Sequence, residues 1–417
     1  MPDIATQVRE ICLSARQAAA KLALASTERK NAALQQLAKL IRENESEILK
    51  VNRMDVDAAQ ALGMASAMLD RLRLTPAILH DMIDGLEQVI NLPDPVGEVE
   101  EMGLRPNGLT VGRMRVPLGV IGFIYESRPN VTIDAAALCV KSGNAVVLKG
   151  GKEAFNSNMF LAGLIAQALI AHDLPEAAAL VMPFTDRAAT LALLKQEDLL
   201  DVVIPRGGEG LIRFVAENAT VPVLKHYKGV CHIYVDQGAD LAMAAAICRN
   251  AKVQKPSACN ALETILVHRD EAAEALPLLD ESLSDVEIRG CEQTRKYIAR
   301  AKVATDEDWA AEFLDMIVAV KVVDNMEQAL EHIARYSSKH TESIITRDYA
   351  RARRFINSAD SSVVLVNAST RFNDGWQLGL GAEIGISTSK LHAFGPMGLK
   401  ELTTRKFVVY GDGQIRK

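Results

Sequence analysis

From about residue 119 the sequence alternates short apolar runs with amphipathic segments, and this alternation leaves the chain few possible architectures. The apolar runs lie at 119–125, 145–148, 179–182 and 202–204, and the segments between them have helical spacing. Strands and helices that alternate at this spacing form parallel sheets covered by helices. The sequence therefore predicts a Rossmann-like α/β domain.

A second alternation begins after residue 236, so we expect a second α/β domain with its own strands. Before the first domain, residues 4–89 are rich in helix formers with apolar residues three and four apart, which predicts a helical lead-in. The Pro106-Asn107-Gly108 turn predicts a hairpin that protrudes as an arm. A short acidic stretch at 306–309 is predicted to be a solvated loop.

Composition narrows the classes of function. With 417 residues, 49% of them hydrophobic, the chain is long enough for more than one core. A net charge of -6 leaves no basic excess for a nucleic-acid backbone or an anionic membrane, so a small-molecule partner is expected. The sequence contains neither a signal-peptide pattern at 1–17 nor an apolar run of roughly 18 residues. We therefore expect a cytoplasmic protein. The six cysteines lack the spacing of metal ligands or of a disulfide framework, so we also expect no bound metal.

Cys259 is the candidate nucleophile. Pro256 places it on a loop or at a helix start, just before an apolar strand, and reactive groups are often mounted on such loops. Lys252 and Lys255 lie close in sequence and would favour the thiolate. Spacing alone favours a structural cysteine over a catalytic one. The remaining cysteines fit core positions better, including Cys231, whose apolar strand pattern predicts a small buried side chain.

Two glycine-containing turns, at 149–152 and 206–208, each follow an apolar strand and lead into a helix. Such joints direct backbone N–H groups and a helix dipole at an anion, although an ordinary strand–helix turn has the same pattern. Neither turn has the strict GxGxxG spacing. Together they predict a dinucleotide site formed by Lys149, Gly150, Gly151, Lys152, Arg206, Gly207 and Gly208. The first acidic residue after Leu148 is Glu153, so Lys152 favours a ribose 2′-phosphate, and NADP is preferred over NAD.

Two strand ends carry polar side chains suited to an amino-acid substrate. Asn130 follows the 119–125 strand, where its amide could either stabilise an oxyanion or cap the next helix. Residues 367–371 end another strand with hydroxyls and a guanidinium that could bind a carboxylate, or form an ordinary surface segment. The candidate substrate residues are Ser127, Arg128, Ser257, Ser369, Thr370 and Arg371.

Seven segments of the sequence together resemble one enzyme family. They are residues 116–122, 125–130, 148–152, 204–208, 256–261, 366–372 and 392–398. They are similar to those of the gamma-glutamyl phosphate reductases and, more remotely, of the aldehyde dehydrogenase superfamily, in the same order over nearly the whole chain. The resemblance implies an aldehyde-dehydrogenase-like α/β subunit. Its expected parts are a dinucleotide domain at 1–100 and 114–236, a catalytic domain at 237–405, and an oligomerisation hairpin and C-terminal strand at 101–113 and 406–417.

The resemblance also implies the reaction. We expect reduction of L-glutamyl 5-phosphate by NADPH through a Cys259 thioester, giving L-glutamate 5-semialdehyde and phosphate in the second step of proline biosynthesis. Asn130 matches the oxyanion asparagine of the superfamily, and Glu312 lies where the superfamily holds the nicotinamide ribose. A homo-oligomer and a functional coupling to glutamate 5-kinase are implied as well.

One position separates this chain from ordinary aldehyde dehydrogenases. The glutamate that they use to hydrolyse the thioester would fall near Leu224, which is apolar. Because attack by water would waste an activated substrate, a missing base favours a reductase. Two alternatives remain: a CoA-acylating aldehyde dehydrogenase, which also needs no hydrolytic base, and a nucleotide-binding scaffold without turnover.

Overall fold

The structure is a computed structural model that describes residues 3–416, apart from the side chain of Ala67. The chain divides into two compact units. The first unit contains the described residues of Met1–Lys225, Leu380–Gly385 and Met397–Lys417, and the second contains His226–Gly379 and Ile386–Pro396. No helix within residues 3–416 is long and apolar enough to cross a membrane.

The α-helices of the described chain are numbered in chain order. They are α1 (Ile4–Leu22), α2 (Thr27–Glu43), α3 (Glu45–Ala61), α4 (Ser66–Leu72), α5 (Pro76–Asn91), α6 (Asn130–Lys141), α7 (Phe155–Ile170), α8 (Arg187–Leu194), α9 (Glu209–Asn218), α10 (Leu241–Val253), α11 (Ala272–Ser282), α12 (Glu292–Arg295), α13 (Asp306–Trp309), α14 (Met326–Tyr336) and α15 (Tyr349–Ser358).

The strands are numbered in the same way. They are β1 (Val99–Leu104), β2 (Thr110–Pro117), β3 (Val120–Tyr125), β4 (Ala145–Lys149), β5 (Ala179–Val181), β6 (Val202–Arg206), β7 (Cys231–Val235), β8 (Leu262–His268), β9 (Glu287–Gly290), β10 (Lys302–Val303), β11 (Ile317–Val323), β12 (Thr341–Ile345), β13 (Val363–Val366), β14 (Gly385–Ser387), β15 (Gly395–Met397) and β16 (Thr403–Tyr410).

The predicted helical lead-in is present as α1 to α5. Leu34, Leu37 and Ile41 of α2 lie on one face at helical spacing, and all three are buried. At the start of α5 the Thr75 hydroxyl accepts a hydrogen bond from the Ile78 N–H, and Pro76 occupies the first helical position, where proline is tolerated.

The first unit contains a parallel sheet in the order β5-β4-β3-β6. Helices α1 and α8 cover it, with a core that includes Val8, Val120, Val147 and Leu193. The predicted α/β architecture is therefore confirmed. Because β3 lies between β4 and β6, the segment that follows β3 is flanked by the two glycine turns.

The hairpin arm is also present. Strands β1 and β2 pair antiparallel, with Gly108 at a φ of 83° in the connecting turn, and β16 pairs antiparallel along the other side of β2. A residue with a side chain rarely adopts this φ, which explains the glycine. The role of the arm in oligomerisation remains a prediction.

The second unit is built on a parallel sheet in the order β10-β9-β11-β8-β7-β12-β13. Strand β7 belongs to this sheet, because its ladder partners are β8 and β12. The predicted dinucleotide domain at 114–236 included this strand, so the structure begins the second unit earlier than residue 237. Residues 397–405, predicted to be catalytic-domain residues, lie in the first unit.

The prediction of a loop at 306–309 is wrong, and its predicted exposure holds only for Asp306 and Glu307, because Asp308 and Trp309 are buried. Residues 306–309 form the short helix α13, which begins with a capping box between Thr305 and Asp308. Asp308 is also paired with Arg289, and the Trp309 ring packs edge-on against His332 at 5.4 Å. Pairing with a cation from β9 allows the acidic residue to be buried.

A buried ion pair joins the helical lead-in to the rest of the first unit. The Lys30 ammonium of α2 contacts the Asp94 carboxylate, and their side chains are 1% and 6% exposed. Lys30 also donates to the carbonyl of Lys141 at the end of α6, and Thr27 donates to Asp94. Asp94 therefore compensates a charge that water does not reach.

We predict that Asp94→Ala lowers the free energy of unfolding by about 3 kcal/mol, because the Lys30 charge is left buried without its partner. The exposed pair of Glu47 and Lys50 provides the control, since Glu47→Ala removes a solvated ion pair and should change stability little. Urea denaturation of both variants measures the difference. Equal losses of stability in Asp94→Ala and Glu47→Ala would contradict the stabilising role of the buried Lys30–Asp94 pair.

Burial lowers the pKa of His332 to about 2 from its ordinary 6.5, so the buried imidazole stays neutral in the folded protein. As the pH falls below about 6.5, the unfolded chain binds a proton here that the folded chain does not, so stability decreases. We predict that His332→Phe reduces this pH dependence by about 1.4 kcal/mol per pH unit between pH 6 and 4. Urea denaturation at several pH values tests this, and an unchanged slope would contradict it.

Candidate active site

Cys259 lies on a turn between α10 and β8, as predicted from Pro256, and its side chain is partly exposed. The Ala261 N–H donates to the Ala258 carbonyl at 2.9 Å, so Cys259 and Asn260 are the central residues of the turn. We call residues 258–261 the Cys259 turn. The turn therefore places the Cys259 thiol on a short backbone segment that is closed by a hydrogen bond.

Contacts to Cys259 and Asn260 hold the turn. The Asn260 amide donates to the Asn373 carbonyl at 2.8 Å, and the Cys231 thiol donates to the Cys259 carbonyl at 3.3 Å. Gly229 packs against that same carbonyl. The residues just before β7 and β8 therefore meet at one edge of the sheet.

Lys252, one of the two lysines expected to favour a Cys259 thiolate, is paired with a carboxylate instead. Lys252 is fully buried, and its ammonium lies 2.7 Å from the Glu263 carboxylate. Burial lowers the pKa of Lys252 and raises that of Glu263. Glu263 also accepts from the Leu314 N–H, so this pair fixes the polypeptide around the Cys259 turn. Lys255, by contrast, is exposed.

Glu312, predicted from the resemblance to contact the cofactor, lies close to the Cys259 turn. Its carboxylate accepts the Gly229 N–H at 2.8 Å, and Gly229 is the residue that packs on the Cys259 carbonyl. The structure thus brings Glu312 and Cys259 into contact with the same glycine.

The candidate substrate residues of the second unit differ in accessibility. Ser257 is exposed just before the Cys259 turn, and Arg371 donates to the Gln254 side chain at 2.8 Å in the same region. Thr370 is 0% exposed, and the Ser369 hydroxyl, 4% exposed, accepts from the Arg371 N–H. Arg371 and Ser257 are therefore the better placed to meet a ligand, while Thr370 lies in the interior.

In the first unit, Ser127 follows β3 with a φ of 45°, an uncommon conformation for a residue with a side chain. Its N–H and its hydroxyl both donate to the Glu153 carboxylate at 2.7 Å. Because Glu153 follows the first glycine turn, this carboxylate ties the turn to the segment after β3. The Ser127 hydroxyl is thus engaged within the protein.

Asn130 is the first residue of α6, and its side chain does not cap that helix, so the capping alternative is wrong. Its amide donates to the Asp134 carboxylate one turn later at 3.2 Å. Burial raises the pKa of Asp134 to about 6. Arg128 is partly exposed two residues before Asn130.

The first glycine turn offers lysine side chains rather than a helix terminus. Lys149 is buried and donates to the Gly150 carbonyl at 2.9 Å, whereas Lys152 is exposed and Gly151 partly exposed. An anion at this turn would therefore meet the Lys152 ammonium first.

The expected helix dipole at this turn is already neutralised. The buried Asp55 carboxylate accepts the Ser157 N–H at 2.8 Å and the Ser157 hydroxyl at 2.7 Å, both at the start of α7. It also accepts the Asn156 N–H. A carboxylate from α3 thus occupies the place where the sequence suggests a phosphate could bind.

The second glycine turn fits an anion. The Gly208 N–H, which precedes α9, donates to the Glu126 carboxylate at 2.9 Å. A Cβ at Gly207 would lie 2.3 Å from the same carboxylate, so only glycine leaves room for a charged oxygen there. The Glu126 carboxylate therefore occupies the anion position of this turn, as the Asp55 carboxylate does at the start of α7. Arg206, at the end of β6, is partly exposed beside this turn.

The position expected for a hydrolytic base is apolar and inaccessible. Leu224 is 6% exposed, and its N–H donates to the Val203 carbonyl at 3.0 Å. Within residues 3–416, no group of three or more His, Cys, Asp or Glu side chains is placed to hold a metal ion.

Sequence patterns missed several residues of this site. Gly229 lies in none of the segments singled out from the sequence, and Cys231 has the pattern of an ordinary core residue. Glu126 and Asn260 lie within the segments 125–130 and 256–261, but no role was predicted for either. The one available signal was Gly229 itself, because a glycine just before an apolar strand often marks a close approach of two backbones.

Comparison with known proteins gives a consistent result. A model of the aldehyde dehydrogenase family matches residues 3–297. Gamma-glutamyl phosphate reductase of Geobacter metallireducens is 55% identical over 416 residues, which cover 99% of this chain and 100% of that protein. The enzyme of the same name from Desulfatibacillum aliphaticivorans is 56% identical, over 98% of each chain. The crystal structure of gamma-glutamyl phosphate reductase from Thermotoga maritima is 47% identical, with a TM-score of 0.96 over 98% of this chain and 100% of that one. The predicted aldehyde-dehydrogenase-like fold is confirmed.

Proposed function

Because the chain belongs to the aldehyde dehydrogenase family and, within it, to the gamma-glutamyl phosphate reductases, we propose that it reduces L-glutamyl 5-phosphate with NADPH through a thioester on Cys259. The products are L-glutamate 5-semialdehyde and phosphate. The observation that carries this proposal is the partly exposed Cys259 thiol on a turn held by buried partners, in a chain whose expected position for a hydrolytic base is Leu224.

Acyl transfer is the first step. The Cys259 thiolate attacks the C5 carbonyl of the substrate, a carbon–sulfur bond forms, and the bond to the phosphate oxygen breaks as phosphate leaves with the electron pair. The oxyanion is proposed to accept hydrogen bonds from the Cys259 backbone N–H and from the Asn130 amide. Arg371 and Ser257, with Arg128, Ser127, Ser369 and Thr370, are the proposed substrate residues.

A nicotinamide dinucleotide would be held by Lys149 to Lys152, by Arg206 to Gly208 and by Glu312. The second turn suits such a group because Gly207 and Gly208 are exposed and lack side chains, so a phosphate can approach its backbone. When bound, the cofactor supplies the hydride that reduces the thioester. Product is released when the bond between the acyl carbon and the Cys259 sulfur breaks. The sulfur leaves as a thiolate, and the aldehyde departs.

Leu224 explains why the thioester survives long enough to be reduced. An apolar residue at that position cannot accept a proton from water, so hydrolysis of the thioester lacks its usual catalyst. The activated acyl group is thereby directed to reduction or back to phosphate.

The remaining expectations are part of the same proposal. The reaction is placed as the second step of proline biosynthesis, in a homo-oligomer functionally coupled to glutamate 5-kinase. A cytoplasmic location is supported by the six cysteines, which are all free thiols in the described chain, as a reducing compartment requires.

We predict that the enzyme oxidises glutamate 5-semialdehyde with NADP+ only when inorganic phosphate is present, and that Cys259→Ala abolishes this activity. Phosphate is needed because it is the nucleophile that releases the acyl group from sulfur. The matched control is Cys291→Ala, which removes another partly exposed thiol and should leave the rate unchanged. The increase in NADPH absorbance at saturating substrate measures the rates of both variants.

Turnover without phosphate would indicate a hydrolytic dehydrogenase instead. Release of the acyl group by coenzyme A, with no response to phosphate, would favour a CoA-acylating enzyme. Retained activity in Cys259→Ala would exclude Cys259 as the nucleophile, and failure of the wild type to turn over in any of these assays would favour a scaffold.

We predict that Lys152→Ala weakens NADP+ binding about tenfold and leaves NAD+ binding nearly unchanged, because it removes one charge-assisted contact to the 2′-phosphate. Lys195→Ala is the control, since Lys195 is exposed in the same unit but lies at the end of α8. Calorimetric titration with each dinucleotide measures the affinities. Equal losses for NADP+ and NAD+ would contradict recognition of the 2′-phosphate by Lys152.

A further inference from the structure

Gly229 makes an unusually close backbone contact with the nucleophile. A Cβ added to Gly229 would lie 1.8 Å from the Cys259 carbonyl oxygen and 2.5 Å from the carbonyl carbon. Real Cβ atoms do not approach backbone to within 3.0 Å, so any side chain here would force the Cys259 peptide to move. Glycine at 229 is therefore required by the present position of that peptide.

Cys231 holds the same carbonyl from two residues further along. Its side chain is 0% exposed, and its thiol is a hydrogen-bond donor to the Cys259 oxygen at 3.3 Å. The pairing of β7 with β8 shifts register between Cys231 and His232. Such an irregularity re-aims a side chain relative to a regular strand, and here the thiol is directed at the turn.

The segment that carries these two residues is itself held in place. The Gly229 N–H donates to the Glu312 carboxylate at 2.8 Å, and the Val230 N–H donates to the Ser338 hydroxyl at 2.9 Å. Residues 229–231 thus form a fixed support behind the Cys259 turn, which we call the backing segment.

Asn260, the residue that follows Cys259, is held by its own side chain. Its amide donates to the Asn373 carbonyl at 2.8 Å and to the Arg371 carbonyl at 3.4 Å. The peptide between Cys259 and Asn260 is therefore restrained by the backing segment at its oxygen and by Asn260 beyond it. These contacts restrict movement of the Cys259 peptide.

We infer that Gly229 and Cys231 are positioning residues for the thioester chemistry, acting through the Cys259 carbonyl to hold the nucleophile in its reactive orientation. The inference rests on the proposed function. The strand pattern of Cys231 predicts only that its side chain fills the core. We assign it a further role in positioning the nucleophile. The reactive sulfur must approach a trigonal carbon along a narrow direction, so a small rotation of its backbone lowers the rate of acyl transfer.

Cys248 supplies the comparison for Cys231. It is likewise 0% exposed, but it packs in the apolar core under α10 together with Ala244, Ala251 and Leu276. Truncation of either cysteine to alanine removes one buried sulfur. Only the truncation of Cys231 removes a hydrogen bond to the nucleophile's peptide.

The experiment measures kcat and KM for phosphate-dependent oxidation of glutamate 5-semialdehyde in Cys231→Ala, Cys231→Ser and Cys248→Ala. We expect Cys231→Ala to lower kcat about fivefold, the effect of one lost hydrogen bond, with KM nearly unchanged. Cys231→Ser, which keeps a donor of similar size, restores kcat. Cys248→Ala keeps the wild-type kcat, and its melting temperature reports the loss of a buried sulfur alone.

Gly229→Ala provides an independent arm, because it displaces the same carbonyl by steric contact. We expect kcat to fall by at least about a hundredfold, as displacement of a reacting group by about 1 Å can do. Thermal unfolding and circular dichroism establish that the variant is folded. Mass spectrometry of the iodoacetamide-labelled Cys259 peptide establishes that the thiol remains accessible.

Equal kcat values for Cys231→Ala and Cys248→Ala, or a folded Gly229→Ala with wild-type kcat, would overturn the inference. A folded Cys231→Ser no faster than Cys231→Ala would also overturn the role of the hydrogen bond. These outcomes differ from failure of the proposed function, in which the wild type itself shows no phosphate-dependent turnover.

Discussion

Parallel pairing of strands is the constraint on which both candidate sites depend, because it brings equivalent ends of neighbouring strands to one edge of a sheet. In the first unit the carboxyl ends of β4, β3 and β6 lie together, which places the segment after β3 between the two glycine turns. In the second unit the amino ends of β7 and β8 lie together, since Cys231 pairs with Leu262. Residues from distant parts of the sequence meet at that edge, and the Cys259 turn is held there by the backing segment.

Three carboxylates hold the loops at the sheet edge of the first unit. Glu153 holds Ser127, Glu126 accepts the Gly208 N–H, and Asp55 caps the start of α7. The loops at the sheet edge are therefore tied to one another before any ligand arrives. The two glycine turns are chemically different as a result: one presents the exposed ammonium of Lys152, and the other a backbone N–H that already binds an anionic oxygen.

Much of the fold followed from local sequence patterns, because strand–helix alternation, the helical lead-in and the hairpin turn at Gly108 depend on residues close in sequence. The cap from Asp55 did not, since its partners lie 101 and 102 residues away. The helix at 306–309 was missed because its burial depends on Arg289 of β9. In the site, Pro256 and the family resemblance predicted Cys259. The role of Cys231 depends on a register shift that no alternation pattern records.

We propose that Cys259 carries the acyl group as a thioester protected from water. The decisive experiment mixes the enzyme with glutamate 5-semialdehyde and NADP+ in the absence of phosphate, quenches with acid, and maps the modified peptide by mass spectrometry. We expect that one γ-glutamyl group accumulates on the peptide that contains Cys259 and disappears on addition of phosphate. An unmodified Cys259 peptide beside stoichiometric NADPH, or an acyl group on another residue, would contradict it.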